Sequence, residues 1–547
     1  MASVVPNGPQ KRARIACVQC REMKRKCDGT HPCDTCRRYG HECRFAARTQ
    51  LPEPKSPPAR RIPLPAHIPP KTARQRSIVA NSGQGFIRQV VKNIDPVNAP
   101  RLRLVAWNCG TRAEVAMPFI ATAITDLLSQ EQMTNLAMAY FEKVDPCYAF
   151  VERDRVFMEI GQRWQQPIPP RDVDAMLCGI AALGSYFSKA HTVAVERHLV
   201  KLAKTILDDL DVPTEPDLYT LTAWVCRVVY VRAACEPLTA YMASCSAMHQ
   251  MEIAGVHHGS RPEKGIFELP KKIDCPPQIL RRLFGVAQHL NTWISYDVGL
   301  SRVSLTAPDI PMEPEPPGQY SDKLLQLLPD TLSLDPLDTQ DEDMLRAALE
   351  TLLTKRDTQG PLVMAQANLL LTILRRLGSL RIGEDPLLEP SLRFLTKSLA
   401  AARKMNEDDE PWHHLANVPF QIFCMLLAID TPASLRMVDD AVQTIIAITK
   451  SYNTTTLREA ANTMYLILSL HKKRRRADAQ IMESILATPL DLGVANNENM
   501  AETFTWPMPN ENEVGWLHSL MAEFPTLQNM EYGDMVSSSW DSADGMT

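Results

Sequence analysis

Residues 17 to 43 read CVQCREMKRKCDGTHPCDTCRRYGHEC, and six of the chain's fourteen cysteines stand in those 27 positions. They divide into two halves of one design, Cys17-x2-Cys20-x6-Cys27 and Cys33-x2-Cys36-x6-Cys43. Each half offers three ligands. A structural zinc takes four tetrahedral ligands, with sulfur at about 2.3 Å, so one half cannot close a site alone. Two zinc ions need eight contacts, which six thiolates supply only if two of them bridge. His31 and His41 are then not needed as ligands. So short a stretch cannot build an apolar core, and the metal must supply its folding free energy. A disulfide framework would fit an oxidising compartment, and a cross-brace finger would need more ligands and longer spacings.

The compartment follows from the rest of the chain. The stretch MASVVPNGPQKRAR has no apolar run of secretory length, and nowhere do eighteen apolar residues follow one another. The expectation is a chain that stays inside the cell with no membrane partner, where clustered cysteines read as metal ligands. Cys109, Cys147, Cys178, Cys226, Cys235, Cys245, Cys275 and Cys424 stand far apart and read as structural thiols. Charge is asymmetric: the first fifty residues carry net +7, whereas no lysine or arginine occurs from Ala477 onward. A basic head and an acidic tail suggest different partners.

The segment resembles the fungal binuclear zinc cluster DNA-binding domain, with two C-x2-C-x6-C halves and a proline, Pro32, in the loop between them. The resemblance implies two Zn2+ ions held by Cys17, Cys20, Cys27, Cys33, Cys36 and Cys43. It implies that Cys17 and Cys33 bridge, that Cys20 and Cys27 complete one site, and that Cys36 and Cys43 complete the other. It also implies double-stranded DNA as the partner.

Each Cys-x2-Cys is expected to open a short helix, the first running through CREMKRKC with Lys24, Arg25 and Lys26 at its C-terminal end. A lysine can read O6 and N7 of guanine in the major groove. By resemblance Lys24 is the candidate reader of a CGG-type triplet, with Arg25 beside it. Arg21, Arg37, Arg38 and Arg44 are assigned to phosphate, which gives affinity and salt dependence but no sequence information. A single module needs a second half-site, usually through a homodimer. Eight prolines between 52 and 70 and the absence of a sustained 3.5-residue apolar period afterwards make 51–114 a basic, disordered linker rather than a zipper. A monomer, or a dimer made by the later domain, stays open. The basic runs at 11–14 and in the linker suit nuclear import or phosphate contact equally.

From about Val115 apolar residues recur with helical spacing, as in Leu221, Trp224, Val225, Val228 and Val229. Helices are expected at 118–143, 173–188, 194–210, 218–234, 237–255, 277–299, 341–355, 362–380, 391–404, 415–429, 434–450 and 455–473. HKKRRR at 471–476 is expected to close the last one, and 307–340 to cross the surface as a loop. The fold class is mostly α: a small zinc module, a large all-α domain over 115–488, and a disordered linker and tail. YFEKVDPCYAFVERDRV, AYMASCSAMHQMEIAGVHH and ILRRLFGVAQHLNTWISYDVGLSRVSLTAPDIPMEP resemble the fungal-specific transcription factor domain, with Asn291 and Ser304 where aspartate and proline are usual. No phosphate loop or nucleophile motif is present, and the chain does not read as an enzyme. His257–His258 and His413–His414 would diverge by about 100° on a helix and read as packing residues.

The tail, 489–547, mixes acids with Phe504, Trp506, Trp516, Leu517, Leu520 and Phe524, the composition of an activation segment that docks into coactivators. EVGWLHSLMAEF, 513–524, is expected to fold on binding there or to dock on the middle domain. The function read from the sequence is a nuclear, sequence-specific regulator of RNA polymerase II genes acting as an activator. The alternatives are a repressor with the same head and a metabolite-sensing scaffold.

Overall fold

The computed structural model describes residues 16–44, 81–95, 109–110, 123–165, 171–190, 192–208, 216–258, 273–308, 310–311, 313–335, 341–378 and 385–487. The chain divides into two compact units, Met1–Ser77 and Ile78–Thr547. The first holds two short helices, α1 (Val18–Glu22) and α2 (Asp34–Tyr39). Its buried residues are the six cysteines, with Ala16 packed beside them.

The second unit is helical, and no strand forms among the described residues. Its helices are α3 (Gly83–Ile94), α4 (Gln130–Lys143), α5 (Arg153–Gln165), α6 (Arg171–Ser188), α7 (Val193–Asp208), α8 (Leu218–Ala234), α9 (Pro237–Ile253), α10 (Pro277–Val298), α11 (Glu342–Thr354), α12 (Gly360–Leu377), α13 (Leu388–Glu407), α14 (His414–Ile429), α15 (Val438–Tyr452) and α16 (Thr455–Leu486). Shorter helical turns join them. In the first half α6 packs on α4, α7 and α8, then α8 on α9 and α9 on α10. In the second half α12, α13, α14 and α15 pack on one another, and α16 follows on α15. One continuous apolar core runs from Phe86 to Ile467. The stripe expected on α8 is buried, but so are Thr220, Thr222 and Val231, so this helix is enclosed on all sides.

Close approach of backbones sets the α4–α6 crossing. A Cβ on Gly184 would lie 2.1 Å from the Leu136 carbonyl oxygen, so only glycine fits there. Nearby, Arg163 of α5 holds Asp174 of α6 in a two-pronged ion pair at 2.5 and 3.1 Å, with both side chains buried. Asn291 joins three segments: its amide donates to Ser244 Oγ on α9 at 3.0 Å, and its Oδ1 accepts from Val303 N at 2.8 Å.

Four sequence expectations need correction. Residues 83–94, assigned to the linker, form α3, whose Phe86, Ile87, Val90, Val91 and Ile94 are buried against α14, α16 and α10. Their i, i+1, i+4, i+5, i+8 spacing makes an amphipathic helix for a globular core, not a coiled-coil seam. Helix α16 does not end at the basic run but continues to Leu486, because ADAQIMESIL contains no breaker. Residues 307–340 are not a plain surface loop: Ser321–Leu325 and Leu328–Ser333 are helical, and Leu324, Leu327 and Leu334 are buried. His413 and His414 do not diverge. His413 is the N-cap of α14 rather than part of its helix, so the two rings stack with centroids 3.7 Å apart. The remaining expected helices lie within a few residues of their bounds, except 118–143, where the helix starts at Gln130. The reading of 513–524 lies outside the described residues.

Candidate metal centre and nucleic-acid interface

The two halves of the small unit repeat one local device. Cys17 is the N-cap of α1, its sulfur accepting the Cys20 N–H at 3.5 Å, and Cys33 is the N-cap of α2, accepting the Cys36 N–H at 3.4 Å. A thiolate suits that position, because free N–H groups and the positive end of the helix favour negative charge. These backbone donors hold the Cys17 and Cys33 thiols below their usual range. Burial instead pushes Cys20 up to about 12 and Cys36 further. Gly40 ends α2 with φ +67°, a turn that glycine makes without strain.

The sulfurs converge. Cys17 Sγ lies 3.7 Å from Cys33 Sγ and 3.6 Å from Cys36 Sγ, and Cys20 Sγ lies 3.6 Å from Cys33 Sγ. These distances exceed a disulfide bond of about 2.05 Å. They match the roughly 3.8 Å edge of a tetrahedron with metal–sulfur bonds of about 2.3 Å. Cys17, Cys20, Cys33 and Cys36 all lie within 4.8 Å of one another, and Cys27 lies equally close to Cys33. Cys43 Sγ accepts the Cys33 N–H at 3.3 Å, which places the sixth sulfur at the same centre. The donor set therefore fits two zinc ions in chemistry and spacing.

Asp28 also approaches Cys27 and Cys33, yet its oxygens are already engaged. Oδ1 accepts from the Thr30 amide and hydroxyl at 3.1 and 3.0 Å, and Oδ2 from the Asp34 amide at 3.0 Å. The Asp34 and Thr30 amides hold its carboxyl below the usual range, so its place is to shape the loop between the halves. Thr35 Oγ1 donates to the Lys26 carbonyl at 2.7 Å, and Val18 N donates to the Arg44 carbonyl at 2.8 Å, tying the first half to the second.

Arg21, Lys24, Arg25, Lys26, Arg37 and Arg38 are all exposed around this core. Helix α1 stops at Glu22, so Lys24 to Lys26 lie beyond it rather than on its last turn. Lys24 has φ +50° in the left-handed region, and Arg25 N then closes back on the Cys20 carbonyl at 2.9 Å. The sequence gave no sign of this, since lysine is not a left-handed former. Nor did it point to Tyr39, over whose ring the Arg25 guanidinium rests at 4.5 Å. Arg37 lies 3.7 Å from Asp34 one turn earlier in α2.

A six-thiolate, two-metal centre wrapped in exposed cations defines a zinc-dependent nucleic-acid-binding module. Residues 15–52 match the fungal Zn(2)-Cys(6) binuclear cluster domain. The chain is 36% identical to Protein RDR1 of Gibberella zeae over 542 residues, which cover 96% of this chain and 97% of that protein. It is 35% identical to transcription factor kojR of Aspergillus oryzae over 481 residues, 86% of each chain. It is 30% identical to Protein RDR1 of Saccharomyces cerevisiae over 510 residues, 87% of this chain and 92% of the other. The chain belongs to the fungal binuclear zinc cluster transcription factors. It is a DNA-binding transcription regulator rather than an enzyme, and its head binds two zinc ions.

Proposed function

We propose that this regulator acts in the nucleus as a sequence-specific activator of RNA polymerase II genes, reading CGG-type triplets through Lys24. The observation that carries the reading is the placement of Lys24 beyond α1 at φ +50°, exposed and next to the rigid cysteine core. A side chain projected from a fixed backbone can meet one base edge repeatedly, which is what direct readout needs. Arg25 is steadied by Tyr39. Arg21, Lys26, Arg37 and Arg38 are positioning cations that meet phosphate on either side. Cys17 and Cys33 are the bridging thiolates, a reading supported by each having a sulfur of the other half within 3.6–3.7 Å and a backbone N–H aimed at it. When bound, the zinc ions fix the relative placement of α1 and α2; the DNA contacts are made by the protein's own side chains.

Activation is assigned to residues 489–547, whose acids and large apolar side chains suit a coactivator groove, and the second half-site to a homodimer. Selection of bound duplexes from random DNA by the zinc-loaded full chain should return a CGG-type triplet, with its spacing reporting one site or two. A recovered site without such a triplet would sink the readout. A reporter driven by that site should lose output when 489–547 are deleted, whereas a rise would make the chain a repressor.

A further inference from the structure

A second polar centre lies inside the helical unit, far from its surface. Arg232 of α8 is 6% exposed in its side chain, and it donates to the Leu290 carbonyl at 3.3 Å and to Asp297 Oδ2 of α10 at 3.2 Å. Around it stand three histidines: His289 of α10, His413 and His414, which are 2%, 7% and 6% exposed. Each feels the Arg232 charge. The Nδ1 atoms of His289 and His414, Nε2 of His413 and Nε1 of Trp412 have no hydrogen-bond partner. Buried polar atoms of that kind cost free energy unless something meets them.

The charges there do not balance. Asp297 is the carboxylate that answers Arg232, and it also answers Arg375 of α12. Arg375 is buried as well, with hydrogen bonds to Gln421 Oε1 at 2.6 Å and Thr372 Oγ1 at 2.7 Å, both neutral. Two guanidinium groups thus share one half-buried carboxylate. Helix α14 begins at the same place: His413 is its N-cap, no side chain caps its first turn, and its positive end adds to the excess. The ring atoms of His413 and His414 sit at that end, and burial together with Arg232 keeps both imidazoles neutral, able to donate one N–H without bringing charge.

We propose that this centre, formed by Arg232, His289, His413, His414 and the N-terminus of α14, is a binding site for a small anion carrying a carboxylate or a phosphate group, and that the anion is an effector of this regulator. Such a group would neutralise the surplus guanidinium charge and accept N–H bonds from imidazole, indole and the first turn of α14. Asp297 limits the site to anions that Arg232 can hold beside its existing carboxylate. Binding would tie α8, α10 and α14 together, so the two halves of the helical unit would respond as one. The proposal does not depend on which DNA triplet the head reads.

The test uses the zinc-loaded full chain, with thermal unfolding followed at constant ionic strength in chloride, sodium acetate or inorganic phosphate. Saturable stabilisation of the helical unit is expected from acetate if the effector is a carboxylate and from phosphate if it is a phosphoryl compound, with a Tm rise of about 2–4 °C near saturation. His289→Leu and His414→Leu should each abolish the rise while leaving DNA binding intact. His289→Gln, which keeps a polar group of similar size, should weaken anion binding about tenfold and serves if the leucine variants do not fold. No stabilisation by either anion beyond chloride would overturn the proposal. So would a rise that survives in the variants, which would mark an adventitious ion held elsewhere, as on the basic head. A higher Tm in the leucine variants with no anion effect in the parent would show the polar atoms to be a plain burial cost.

Discussion

The two units of this chain are held together by different physics. In the head the buried side chains are six sulfurs, and nothing apolar beyond Ala16 packs on them. In the helical unit Phe150, Phe284, Phe420 and Phe423 are buried completely within one continuous core. The head thus owes its shape to the ligand field of a metal, and the body owes its shape to removal of apolar surface from water. A change that ruins one should leave the other standing.

The largest effect should come from chelation. Binding of structural zinc is worth about 10–16 kcal/mol in small zinc modules, so stripping the metal should abolish DNA binding. Circular dichroism should still report the helical unit and its thermal transition. Coupled loss of both would break the comparison. Next, Phe284→Ala should cost the body about 3–5 kcal/mol by leaving a cavity, measured by denaturant unfolding. Zinc content of two ions per chain should not change.

Smaller effects sharpen it. Lys24→Met should lose about tenfold to hundredfold in preference for the correct triplet with no change in body stability. Lys26→Met should weaken all sequences alike and lower the salt slope by about one. Fluorescence binding titrations at several salt concentrations separate the two. The smallest effect concerns Asp145, whose carboxyl is pushed up to about 6 mainly by burial, offset in part by Gln319 and Arg282. Its folded pKa lies above the unfolded value of 3.8, so the folded state prefers the protonated form. Stability from this group is present below about pH 4 and lost as pH rises through about 6. Asp145→Asn should remove that slope and leave the body about 1–2 kcal/mol more stable at pH 7, by thermal unfolding across pH.

The head was the more legible region, because a ligand spacing is itself the chemistry: C-x2-C puts one sulfur at a helix N-cap and the next in its first turn. The body was legible as helix wherever an apolar period ran long. Helix α3 escaped since its short amphipathic face follows a proline-rich stretch and matches no heptad, although Ser82 caps it. The end of α16 was misjudged because cations were taken to mark a C-terminus, when they lie exposed midway along a helix that goes on. Tertiary facts had no linear signal at all. Lys24 adopts a backbone conformation that its residue type does not announce, and Arg232 meets His289 and His413 only because α8, α10 and α14 converge.

The deep position of the other cysteines has a consequence for metal economy. Burial pushes the thiols of Cys109, Cys147, Cys178, Cys226 and Cys424 far up, so at neutral pH they stay protonated, and a protonated thiol neither ligates zinc nor attacks an electrophile. A polypeptide rich in sulfur can therefore be saturated by two metal ions and take no third from a cell that offers more. Alkylating agents would likewise find the body silent while it remains folded, so that the rate at which those five sulfurs become reactive is a clock for the opening of the core.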